Sequence, residues 1–154
     1  VGGDFGVTSV DALKPNEFFP DGQASSGNLW NVGAQLIGTN LYSARDTHVL
    51  NLSLLGGPTY HGTLLSYNNL SSLGEKWQLE PSLKYYTQSS NDGSGNDVWT
   101  AGARATYRVR QQIALETELT YERSQMTSAP TMAGPGATTS SSRMNYYAGA
   151  RYDF

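Results

Sequence analysis

Across much of the chain apolar and polar residues alternate one for one, the period of a β-strand whose two faces meet different surroundings. Three stretches show it most cleanly. Trp77, Leu79, Pro81, Leu83 and Tyr85 stand against Lys76, Gln78, Glu80, Ser82 and Lys84. Trp99, Ala101, Ala103, Ala105, Tyr107 and Val109 stand against Thr100, Gly102, Arg104, Thr106 and Arg108, and Ile113, Leu115, Thr117, Leu119 and Tyr121 against Ala114, Glu116, Glu118, Thr120 and Glu122. Residues 29–42 repeat the pattern through Trp30, Val32, Ala34, Leu36, Gly38 and Tyr42, with Ile37 interrupting the polar side, and residues 48–55 through Leu50, Leu52 and Leu54. Residues 1–10 form a weaker first strand on Phe5 and Val7. Residues 60–69 offer both Leu64 and Leu65, so their face is ambiguous and a bulge is one way to place both. The eighth strand, 144–154, sets Met144, Tyr146, Ala148, Ala150, Tyr152 and Phe154 against Asn145, Tyr147, Gly149, Arg151 and Asp153.

Turn chemistry separates these strands. Residues 13–28, with Pro15, Pro20, Gly22 and Gly27, read as a loop in which Phe18 and Phe19 fold back; 87–97 and 124–142 read as further loops, the last the longest. Short turns fall at 43–47, 71–75 and 110–112, and Gly56, Gly57 and Pro58 make another reversal. Long connections after strands one, five and seven, less clearly three, would lie on one side, and short ones after two, four and six on the other. The chain then ends on the short-turn side.

The final strand, with its alternating apolar residues and terminal Phe154, resembles the C-terminal signal of bacterial outer-membrane β-barrel proteins. That resemblance implies a Gram-negative outer-membrane location, a lipid environment, and recognition of Tyr146, Ala148, Ala150, Tyr152 and Phe154 by barrel-assembly machinery. The predicted fold is all-β, an antiparallel up-and-down transmembrane β-barrel of about eight strands forming a single domain over residues 1–154. Aromatic pairs of shared parity bracket the apolar faces: Trp30 and Tyr42, Trp77 and Tyr85, Trp99 and Tyr107, Tyr146 and Tyr152, with Tyr121 also on an apolar face. Eight residues at ~3.3 Å rise, tilted by ~40°, span roughly 20 Å, close to the apolar band of such barrels. On strands five to eight the apolar faces are expected to carry no charge.

Composition bounds the alternatives. With 17 Gly, 10 Tyr and 15% charged residues the chain favours strands and turns over helices. Mean hydropathy is -0.46 and no apolar run reaches the ~18 residues of a membrane helix, yet a barrel exposes only alternate residues to lipid, so averaged hydropathy understates it. A net charge of -3 gives no basic face for nucleic acid. Zero Cys excludes disulfides and thiolate metal sites. The start, Val-Gly-Gly-Asp-Phe, lacks the basic and apolar regions of a signal peptide and reads as a mature chain or an excised fragment.

The polar faces carry the candidate chemistry. Glu80, Lys84, Arg104, Arg108, Glu116, Glu118, Glu122 and Arg151, with Lys76 and Asp153 at the margins, would form an interior charge network. Pairing Val109 with Ile113 brings Arg104 opposite Glu118; pairing Arg108 with Gln112 brings it opposite Glu116. Such a network fills a narrow barrel or lines a wide one. His48 and His61 lack a Ser two residues away, so no lipid-cutting triad is expected. Asp92, Ser94, Asn96 and Asp97 offer oxygens, but Asp97 stands where a calcium loop requires Gly. No catalytic residue, metal or cofactor is assigned.

Two architectures remain open. A self-contained eight-stranded barrel would serve as an anchor, adhesin or structural element. The C-terminal half of a roughly sixteen-stranded barrel exporting polysaccharide or other cargo would have a further barrel segment or a periplasmic domain as partner; the weak first strand and Pro81 favour that reading, whereas a length right for a small barrel and the near balance of interior charges favour the self-contained one, to which the balance tips slightly. A soluble β-barrel binding module with its apolar face inward is the competing class.

Overall fold

The computed structural model describes residues 2–10, 27–41, 43–132 and 134–152. They form eight strands: β1 (Gly2–Val10), β2 (Gly27–Thr39), β3 (Asp46–Gly56), β4 (Tyr60–Leu73), β5 (Trp77–Ser90), β6 (Gly95–Arg110), β7 (Ile113–Thr127) and β8 (Thr138–Tyr152). Each pairs antiparallel with its neighbour in chain order, giving one up-and-down sheet. Period-two patterning and two- or three-residue turns such as Gly74–Lys76 leave no other local solution, and Gly74, at φ 66°, supplies the left-handed residue its turn requires.

The sheet is open. Contacts among the described strands run only between consecutive ones, and β1 does not touch β8. Apolar packing inside the sheet is almost nil: among the described residues Ala114 is the one buried hydrophobic side chain. Leu50, Leu52, Leu54, Leu65, Leu83 and Leu119 are all exposed. They share the face predicted to be apolar, so the sheet does not turn that face inward over a core of its own.

Several expectations change. The segment 87–97 is mostly strand, because β5 and β6 run on as a polar hairpin joined by residues 91–94, and the longest loop shrinks to 128–137. The connection after β3 is only 57–59, while that between β2 and β3 spans 40–45, so long and short connections do not alternate as predicted. Backbone pairing, which side-chain polarity does not forbid, extends the hairpins. β3 and β4 pair without a register shift, so strand four has no bulge there; Leu65 lies opposite Leu52 on the apolar face and Leu64 opposite Ser53 on the polar one. The shift falls instead between Arg108 and Arg110. The loop at 13–26, Tyr42, Asp153 and Phe154 lie outside the described residues.

Candidate functional site

On the polar face, the register between β6 and β7 sets Arg104 opposite Glu118, as the first of the two predicted registers would, although Arg110 rather than Val109 pairs with Ile113 because the register shifts between Arg108 and Arg110. The Arg104 and Glu118 side chains lie 3.4 Å apart. Arg151 Nη1 donates to Glu116 Oε1 at 2.9 Å and Arg143 Nη2 to Glu122 Oε1 at 3.4 Å. Glu116, Glu118 and Glu122 thus form a carboxylate spine along β7, with partners on both neighbouring strands. Arg143 escaped the sequence reading because its segment resembled loop. Glu80 accepts a bond from Gln78 Nε2 at 2.7 Å; Lys84 lies opposite Thr100, and Arg108 opposite Ala114. Lys76 belongs to the turn before β5. A cleft of about 350 Å³ opens on this face, lined by Asn68, Glu80, Ser82, Arg104, Glu118 and Thr120.

On the apolar face two aromatic pairs cap the β5–β6 band. Trp77 and Tyr107 have ring centroids 4.7 Å apart, and Tyr85 and Trp99 4.3 Å. Between them lie Leu79, Pro81 and Leu83 and three alanines of β6. Trp30 covers Gly56 on β3, where a Cβ would come within 2.5 Å of the indole. Charge is not absent from this face: Asp97 and Arg123 share the parity of Trp99 and Tyr121, Arg123 directly opposite Trp99 and Asp97 one alternate position beyond it.

The aromatic border is oblique to the pairing lines. The line of Cα partners through Trp30 passes Gly56, His61, Ser89, Gly95 and Thr127 and meets β8 at Thr138. Tyr146, the border residue on β8, lies eight residues further along. Tyr85 and Trp99, then Tyr121, fall at intermediate steps. Eight residues are about 26 Å along the strands against about 29 Å across six interstrand spacings, a slope of roughly 40°. At the other border Tyr152 is displaced in the same direction, lying opposite Ile113, one alternate position beyond the Trp77–Tyr107 level.

A polar cluster missed by sequence reasoning occupies the end of β3 and β4 next to the β2–β3 connection. Asp46 is 2% exposed and accepts the backbone N–H groups of Leu41 and Ser43, both at 2.7 Å, so the turn at 40–45 curls over it. His48 Nε2 lies 3.5 Å from the Asp46 carboxylate, and its Nδ1 is 2.8 Å from Tyr67 Oη. Ser71, fully buried, donates to Asn69 Oδ1 at 2.7 Å. Burial puts this hydroxyl out of reach of a substrate, and the cluster's geometry is that of a turn lock. Tracing it would have required the β3–β4 register, which sets Asp46 opposite Ser71 and which the ambiguous face of residues 60–69 hid.

No match was found with protein-family models, curated proteins or solved structures. The chain is defined by its architecture, an all-β antiparallel up-and-down sheet with one apolar and one ion-paired face.

Proposed function

We propose that this sheet is wall of an outer-membrane β-barrel, its apolar face against lipid and its polar face toward the interior, with a non-catalytic role in passage or membrane structure. The oblique aromatic border around an exposed apolar face carries the reading. Water penalises so large a contiguous apolar surface, whereas interfacial rings settle at headgroup level, and a slope near 40° matches the ~35–45° tilt of barrel strands. The polar face then needs its charges paired or wet, which the Glu116, Glu118 and Glu122 partnerships supply. Tyr146, Ala148, Ala150 and Tyr152 share the lipid side, consistent with a terminal strand read by assembly machinery.

The open sheet favours completion by further strands over closure at eight, because β1 and β8 do not meet. In that reading the polar face lines a passage. The test is refolding of the full chain with and without lipid vesicles. We expect β-structure and a monodisperse species only with vesicles or detergent; a monodisperse, β-folded protein in plain buffer would overturn the membrane reading.

A further inference from the structure

A cleft of about 170 Å³ opens on the polar face at the end where the β2–β3, β4–β5 and β6–β7 connections gather. Ser72, Gln78 and Thr106, one line of Cα partners across β4, β5 and β6, lie along it. Three cations reach it from three places in the chain: Arg45 just before β3, Lys76 just before β5, and Arg108 near the end of β6. Backbone bonds set their spacing. Arg45 O accepts the N–H of Ser72 at 3.0 Å and Lys76 O accepts the N–H of Arg108 at 2.8 Å, so the sheet itself positions all three. Each of the three residues is exposed, and a solute reaches them without moving the backbone.

The charges here are arranged unlike those of the neighbouring ladder. Arg104, Arg143 and Arg151 each have a carboxylate at 2.9–3.4 Å. Arg45, Lys76 and Arg108 make no ion pair among the described residues, although Glu75 lines the same cleft. Glu80, the nearest carboxylate on β5, is engaged by Gln78 instead. Like charges gathered round one cleft repel, and an anion seated among them relieves the repulsion. Three cations against the one carboxylate of Glu75 leave a local charge of +2. A phosphate monoester near neutral pH carries about −2 and presents three terminal oxygens. A carboxylate brings one charge and two oxygens, too few for two guanidinium forks and an ammonium. The volume lies below the roughly 300–1,000 Å³ of ordinary ligand pockets, so the cleft seats one such group and leaves the rest of its bearer outside.

We propose that this cleft is an anion site for a phosphate monoester, with the Arg45 and Arg108 guanidiniums and the Lys76 ammonium donating to its terminal oxygens. A soluble molecule or a lipid headgroup can bear that group. Trp77, part of the aromatic border, lines the same cleft. The site is built by the sheet and its turns alone, so its failure would leave the membrane reading standing.

The test is NMR and calorimetric titration of the full chain in neutral detergent micelles at low salt. The probes are inorganic phosphate, acetate, and phosphatidic acid doped into the micelles. Phosphate or phosphatidic acid should bind saturably and shift the Trp77 indole N–H and the amides of Thr106 and Arg108. Saturation by soluble phosphate assigns a free anion; saturation by phosphatidic acid alone assigns a headgroup. Arg108→Gln should weaken binding roughly tenfold, the value of one charge-assisted hydrogen bond. Should that variant fail to fold, Lys76→Gln, in an exposed turn, is expected to act similarly. Arg123→Gln removes an equal charge opposite Trp99, away from the cleft, and should leave binding unchanged. No saturable binding of either phosphate probe, acetate binding as tightly as phosphate, unchanged affinity in the folded cleft variant, or an equal loss in Arg123→Gln would each overturn the proposal.

Discussion

On β2 to β4 the polar face is held by amides and hydroxyls, Gln35 donating to Asn51 at 2.8 Å and Asn51 to Ser66 at 3.2 Å. On β6 to β8 the same face is held by ion pairs, Arg104 with Glu118, Arg143 with Glu122 and Arg151 with Glu116. The leucine band of the apolar face is common to both halves: Leu50, Leu52 and Leu54 in the first are exposed, as are Leu115 and Leu119 in the second, although Asp46 and His48 share its parity at one end of β3. Two chemistries therefore satisfy one side of the wall while a single requirement governs the other. Neutral hydrogen bonds hold their strength in salt, whereas half-exposed ion pairs are screened. The halves should differ in their response to solution conditions and agree in their response to damage on the apolar side.

The largest effect should come from charging that shared side. Leu52→Arg and Leu119→Arg are each expected to cost ~2–4 kcal/mol in urea unfolding from vesicles, the cost of a cation near the lipid midplane. Ser53→Arg, on the opposite face, should cost little. Tolerance of Leu52→Arg alone would show that the two halves do not meet the same medium.

A smaller effect should appear on one half only. Asp46→Ala removes a buried acceptor of two backbone N–H groups and should cost about 1–3 kcal/mol. Amide exchange would report it as faster exchange at Leu41 and Ser43, with β6 to β8 unchanged. Acceleration spread evenly over the sheet would mean that the lock serves the whole wall.

The smallest effect belongs to the ionic half. Glu116→Gln should cost below about 1 kcal/mol at low salt, and the difference from wild type should vanish in 1 M salt, where screening reaches roughly 3 Å. Gln35→Ala should show no such salt dependence. Unfolding midpoints at two salt concentrations separate the cases.

The strands, the faces of most of them and an ion pair between Arg104 and a glutamate of β7 were legible in the sequence because alternation and a short turn constrain them; the choice of Glu118 over Glu116 needed the register itself. The hairpin extensions were not, since Gln88, Ser89 and Ser90 carry loop-like side chains on a backbone that still pairs with Gly95 and Asn96. The ion-pair partner Arg143 was lost with them. Leu64 and Leu65 could be assigned only once the Leu52 pairing was known, as a hydrophobic doublet carries no parity of its own. The Asp46 lock joins residues some 25 positions apart in sequence, and no local pattern announces it.

Pro81 gives the wall a mechanical character. The pairing of β4 with β5 runs from Tyr60–Ser90 to Asn68–Ser82, lapses at Asn69 and Leu70, and resumes at Ser71–Leu79. Proline has no N–H to give, and the ladder is thinnest beside it. The lapse lies on the boundary between the amide-held and the ion-held halves, with the cleft of the polar face opening beside it. A ladder yields first where its rungs are missing, so the two open rows at Asn69 and Leu70 are a local weak point in a seam that is paired on both sides of them.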